Sequence, residues 1–86
     1  NAALSVYPNP ANEMAHLDYS LDRTRDVKIT VYDSQGRVVH SIHPSNQPRG
    51  QHQVLLDAKA WGDGLYVVNF SDGKAQSTIR LMVLKP

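Results

Sequence analysis

Apolar and polar residues alternate along this chain in short bursts, and turn-forming residues interrupt them about every 8 to 12 positions. No window long enough for an amphipathic helix carries apolar residues at helical spacing, so the pattern predicts strands throughout. Seven are read. The first, Ala3–Tyr7, sets Leu4 and Val6 on one face. The second, Met14–Ser20, opposes Ala15, Leu17 and Tyr19 to His16 and Asp18. The third, Asp26–Asp33, is the most regular, with Val27, Ile29 and Val31 inward and Lys28, Thr30 and Tyr32 outward. In the fourth, Arg37–His43, strict alternation puts Val38 and Ile42 on the face of His40 and leaves Val39 opposite. The fifth, Gln51–Asp57, points Val54 and Leu56 inward. The sixth, Leu65–Ser71, buries Tyr66, Val68 and Phe70. The seventh, Ala75–Lys85, buries Ile79, Leu81 and Val83.

The connections fit this division. Asp72-Gly73 predicts a tight type I′ turn between the sixth and seventh strands, with positive φ at both residues. Ser34-Gln35-Gly36 closes a hairpin between the third and fourth, with Gly36 left-handed. His43–Gly50 is a polar loop with two prolines. Asp57–Gly64 is long enough to cross from one sheet to another, and Trp61 is placed to plug the end of the structure. The predicted fold is an all-β, seven-stranded, two-sheet immunoglobulin-like β-sandwich.

Composition narrows the chemistry. With 86 residues and no cysteine, one domain must hold itself together by packing, without disulfides or a Cys-based zinc site. Nine basic and eight acidic residues are spread evenly, leaving a formal charge of +1 and no polybasic block to grip phosphates or an anionic membrane. No apolar run is long enough to span a bilayer, so no membrane insertion is expected. The chain starts at Asn1 without a methionine or a signal peptide, and reads as a piece of a longer protein, with Asn1-Ala2-Ala3 as a linker remnant. The absence of cysteine fits a reducing compartment and a bacterial envelope alike. Nothing in the pattern sets an oligomeric state.

Catalytic and ligand-binding motifs are sparse. The four histidines are His16, His40, His43 and His52. His40 and His43 lie three apart, on opposite faces of a strand, which is poor metal geometry. No serine or aspartate sits in a nucleophile setting. Asp63 and Asp72 adjoin glycines, as turn aspartates do. Outward Tyr32 with a few scattered arginines is not a nucleic-acid surface. Asn69-Phe70-Ser71 matches a glycosylation triplet but lies inside a strand, which points to chance. No enzyme activity, cofactor or metal is expected.

Three features carry more. Pro8-Asn9-Pro10 removes two backbone donors and disfavours helix, so the chain is extended there and leaves the ladder. Asp63-Gly64-Leu65-Tyr66 resembles a tyrosine corner, in which the buried hydroxyl bonds backbone across the bend. In the last strand, Thr78 and Arg80 keep the outer face polar, but Met82 and Leu84 make its second half apolar. Such a strand is either covered by its neighbours or open to a partner by β-augmentation.

Taken in order, "VYPNPAN", "VKITVYDSQGRVV", "GQHQVLLDAKAWGDGLYVV" and "STIRLMVLK" resemble the type A C-terminal sorting domain of the type IX secretion system (the Por secretion system C-terminal sorting domain). The resemblance runs from about Leu4 to Lys85, the core of a single domain over 1–86. It implies an immunoglobulin-like sandwich that acts as a non-catalytic secretion signal at the end of a cargo protein in a Gram-negative bacterium of the Bacteroidetes type. Cargo in the periplasm then passes the outer-membrane translocon, and a sortase usually removes the domain and attaches the cargo to anionic lipopolysaccharide at the cell surface.

Position by position, the resemblance places the proline motif on Pro8, Asn9 and Pro10, the glycine-x-tyrosine motif on Gly64 and Tyr66, and the terminal motif on Arg80, Leu81, Val83 and Lys85. Arg80 stands where lysine is common, and Pro86 follows Lys85. The expected mechanism is recognition through the last strand. Leu81 to Lys85 are held extended, Met82 and Leu84 offer apolar contact, and Lys85 offers charge. The expected partners are translocon and shuttle or sortase components, with the host cargo on the N-terminal side. The alternative is a carbohydrate-binding or adhesive β-sandwich module using Trp61, Tyr7 and Tyr32, and a further one is a plain spacer.

Overall fold

The computed structural model describes residues 4–86. The Ala3 start predicted for the first strand, and the reading of Asn1-Ala2-Ala3 as linker, fall outside them. The strands are β1 (Leu4–Tyr7), β2 (Met14–Leu21), β3 (Lys28–Tyr32), β4 (Val38–Ile42), β5 (Gly50–Asp57), β6 (Gly64–Ser71) and β7 (Gln76–Val83). They form two antiparallel sheets, ordered β1-β2-β5 and β4-β3-β6-β7. As predicted, the Asp57–Gly64 segment carries the chain from the smaller sheet to the larger.

Alternation explains the core. Ala15, Leu17, Tyr19 and Leu56 face inward from one sheet, and Ile29, Val31, Val68, Phe70, Leu81 and Val83 from the other. The Tyr19 and Phe70 rings meet with centroids 4.9 Å apart. Burying each large apolar side chain stabilises the sandwich by roughly 1.5–3 kcal/mol, which replaces the disulfides the chain lacks.

The sandwich has two poles. At one, Leu4 lies opposite Tyr19 and Ser71 opposite Gln76. Arg25 and Gln47 form a bridge beside it, and the Arg25 guanidinium contacts Asp22 at 3.2 Å and Asp72 at 3.7 Å. At the other pole β1 ends at Tyr7, the crossover loop arrives at Gly64, and β7 ends at Val83.

Three expectations are corrected. A bulge between Val31 and Tyr32 shifts the β3–β4 register, so His40 opposes Val31 while Val38 opposes Tyr32. The added residue reverses parity. Val38 is therefore 58% exposed, and Val39 packs on the core with Ile42. His43 lies beyond the end of β4. Thr30, placed outward by alternation, is buried because it sits on a central strand between Ser41 and Asn69. Of Asp72-Gly73, only Gly73 has positive φ. Asp72 instead accepts the backbone N–H of Lys74 at 3.0 Å and of Ala75 at 2.8 Å, which lengthens the connection to Asp72–Ala75. The Gly36 turn is as expected, with φ 83°.

Candidate functional site

After Tyr7, opposite His16, the prolines end the β1 ladder, and the chain turns to run beside β7. The Tyr7-Pro8 and Asn9-Pro10 peptide bonds are cis. Asn9 then behaves as a strand partner made from a side chain. Its Nδ2 donates to the Arg80 carbonyl at 3.0 Å, and its Oδ1 accepts the Met82 N–H at 3.0 Å. Ala11 continues the pairing. Its N–H donates to the Met82 carbonyl at 2.8 Å, and its carbonyl accepts the Leu84 N–H at 2.9 Å. A parallel bridge between Ala11 and Val83 results. β7 is an edge strand, yet from Arg80 to Leu84 its outer rim is occupied by the proline motif. The choice left open by sequence, covered or available, resolves to covered over this stretch.

The tyrosine corner forms next to it. Gly64, with φ 147°, opposes Val83, and Tyr66 opposes Leu81. The buried Tyr66 hydroxyl donates to the Gly62 carbonyl at 2.7 Å, across the bend. Trp61 lies over Tyr66, centroids 5.1 Å apart, and reaches His40 at 6.3 Å, closing the pole as predicted.

Lys85 departs from its expected role. Its ammonium does not project toward solvent as a free charge. It donates to the carbonyls of Lys59 at 3.0 Å and Trp61 at 2.6 Å, while its backbone N–H donates to Asp63 Oδ1 at 2.9 Å. The crossover loop needs donors for carbonyls turned toward the chain end, and the lysine supplies them. Leu81 and Val83 are wholly buried, Met82 is half-buried, and Leu84 is 50% exposed. Arg80 is exposed and makes no salt bridge among the described residues.

The structure thus gathers Pro8, Asn9 and Pro10, Gly64 and Tyr66, and Arg80–Lys85 at one pole. Sequence reasoning missed the groups that join them: the carbonyls of Lys59, Trp61 and Gly62, the Asp63 carboxylate, and Ala11. Backbone acceptors leave no mark on residue pattern, and only the Asp63-Gly64 pair hinted at a structured bend.

Aromatic residues do not gather into a platform. Trp61 packs at the pole, and Tyr32 lies on the outer face of the larger sheet. Tyr7 stacks on His16 on the smaller one, centroids 5.3 Å apart. The Tyr7 hydroxyl donates to Asp18 at 2.9 Å and accepts from Gln53 at 3.0 Å. The bond to Asp18, aided by desolvation, holds that phenol above its ordinary pKa. Among the described residues no cluster of histidines and carboxylates is arranged to hold a metal ion.

Fold and pole together define a small immunoglobulin-like sandwich whose last strand is locked by its first turn. The family described as "Secretion system C-terminal sorting domain" matches residues 5–84, and the chain belongs to that family. It is a type IX C-terminal sorting signal, and the protein that bears it is exported to the cell surface or secreted. Among solved structures, the chain is similar to part of dimeric latent PorU from Porphyromonas gingivalis, with TM-score 0.74 and 19% identity. That match covers 99% of this chain and 9% of the PorU chain, so the likeness is one of fold. No curated protein matches the sequence.

Proposed function

We propose that residues 1–86, with a core over about 4–85, act as one non-catalytic address, read at the pole where the three motifs meet. The cargo, attached on the N-terminal side, crosses the periplasm before translocon and shuttle or sortase components engage this pole. The observation that carries the reading is the Asn9 side chain spanning 71 and 73 residues of sequence to reach Arg80 and Met82. A motif at each end of the chain thereby becomes one surface. Holding Arg80–Leu84 extended in advance spares a receptor the cost of ordering that strand.

Fractionation of a full-length host protein in a bacterium with a type IX system tests this. Removal of Arg80–Pro86 is expected to leave the host in the periplasm. Because the deletion also removes buried Leu81 and Val83, Asn9→Ala serves beside it: the domain stays folded and display falls. Normal surface display of both variants overturns the reading.

A further inference from the structure

With the Arg80–Leu84 rim of β7 occupied and the Lys85 ammonium turned inward, neither strand pairing along that stretch nor the terminal charge is offered to a reader at the motif pole. The outward face of the larger sheet remains. Cross-strand register sorts that face into two halves. In one, Thr30 is flanked by Ser41 and Asn69, Asn69 by Thr78, and Lys28 by Ser71, which in turn opposes Gln76. That half is polar. In the other, Val38 opposes Tyr32, Tyr32 opposes Val67, Val67 opposes Arg80, and Leu65 opposes Met82. Val38 is 58% and Leu65 37% exposed, although neither is needed for the core.

The only charged side chain in these apolar rows is Arg80, and it has no salt-bridge partner among the described residues. Arg37, beside Val38, adds a second cation, 73% exposed although paired with Asp33. The bulge contributes directly, since without its parity reversal Val38 would face the core. An apolar surface bordered on its β7 edge by a guanidinium with no salt-bridge partner among the described residues, and continuous with the motif pole, selects a complementary surface.

We infer that the half-face formed by Val38, Tyr32, Val67, Leu65, Met82 and Arg80 is the docking surface for a protein partner. That partner presents an apolar ridge with a carboxylate set against Arg80. The inference rests on the address reading above and names the chemistry of its reader. Contact is face-on, with side chains, and leaves the proline motif seated on β7. Arginine suits this role because its planar fork takes a carboxylate through two bonds.

The test uses the full-length host, scored for surface display, and the purified domain, scored for thermal stability. Val38→Thr combined with Leu65→Thr places a β-branched polar residue, well suited to a strand, at both positions, and Arg80→Glu reverses its charge. Both are expected to keep the melting temperature within about 3 °C and to reduce display at least about tenfold. Arg80→Lys, which keeps the charge but not the two-bond fork, is expected to retain display between the wild type and Arg80→Glu, and Leu55→Thr, on the opposite sheet, all of it. A photo-crosslinker at position 65 is expected to trap a protein that the same group at 55 does not.

Full display by the Val38/Leu65 double variant, or equal loss with Leu55→Thr, overturns the inference. So does Arg80-dependent pelleting of the wild-type domain with anionic phospholipid vesicles, which assigns the face to lipid. If the double variant unfolds, the crosslinking pair decides alone, and equal trapping from both positions overturns the inference. Display of a host lacking the whole domain would overturn the address reading itself, a different outcome from display retained by face variants.

Discussion

Asn9 and Met82 stand to each other as residues of neighbouring strands do, with the Asn9 amide oxygen 3.0 Å from the Met82 backbone nitrogen. The same amide donates to the carbonyl of Arg80, so one side chain closes both kinds of backbone group on the rim. Asn9→Ala should cost about 1 kcal/mol, toward the lower end for hydrogen bonds because water reaches the site. Hydrogen exchange at the Met82 amide should accelerate more than at Tyr66 or Val68. Asn9→Asp keeps the acceptor but sets a carboxylate oxygen against the Arg80 carbonyl. It should be at least as damaging at neutral pH, and milder at low pH where the carboxyl regains a proton to donate. Denaturation midpoints of the three proteins at both pH values check this.

Lys85 yields a prediction about salt. Its partners are the carbonyls of Lys59 and Trp61, which carry no net charge. Lys85→Met keeps the aliphatic stem and removes those bonds, and should cost about 1–2 kcal/mol. The difference between the two proteins should persist at high salt, unlike that of a surface ion pair. Lys85→Arg should fall between them, because a planar fork does not meet two carbonyls as a rotating ammonium does. Urea titrations at low and high ionic strength measure both effects.

Acid should loosen the turns before the core. The Asp33 carboxyl lies below its ordinary pKa, chiefly through the Arg37 backbone N–H, with the Gln35 N–H and the Arg37 guanidinium outweighing desolvation. For Asp72, burial pushes upward, but the N–H groups of Ala75 and Lys74 and the charge of Arg25 bring it below the ordinary value. A carboxylate with a depressed folded-state pKa stabilises the fold fully above its unfolded pKa. It loses that contribution as pH falls through the folded value. Stability should therefore hold from neutrality to about pH 4 and decline below it. Asp72→Asn should flatten that acid limb, as followed by thermal melts across the range.

Asn69 is a position where the fold gives up stability. It sits in mid-β6 between Thr30 and Thr78, and its side-chain oxygen is buried without a hydrogen-bond partner. Asn69→Thr removes the orphaned carbonyl and adds a β-branched side chain, and should stabilise by about 1 kcal/mol. An unchanged or lower midpoint would show that water already satisfies the amide.

Most of the sandwich was legible because alternation is a strong signal where one face of a strand is buried. Leu17, Tyr19, Ile29, Val68 and Leu81 all fall inside as the pattern requires. Val38 and Val39 were not legible, because a bulge adds a residue without changing local composition. Asp72-Gly73 misled for a related reason: a carboxylate that captures two N–H groups builds a longer loop than a glycine pair does. At the pole, the motif residues could be found by order and spacing, but their joints could not. Whether a terminal lysine projects to solvent or docks on carbonyls 24 and 26 residues away is decided by the path of the crossover loop.

On the proposed reading, the placement of the two poles sets how the address meets its load. Leu4 lies at the pole opposite the one where β7 delivers Leu84, and any chain that precedes Leu4 joins there. Strands of eight residues separate the two ends by about 26 Å. On the proposed reading, a reader at the motif pole is held about one strand length away from a cargo joined ahead of Leu4. A signal built this way need not be matched to its passenger.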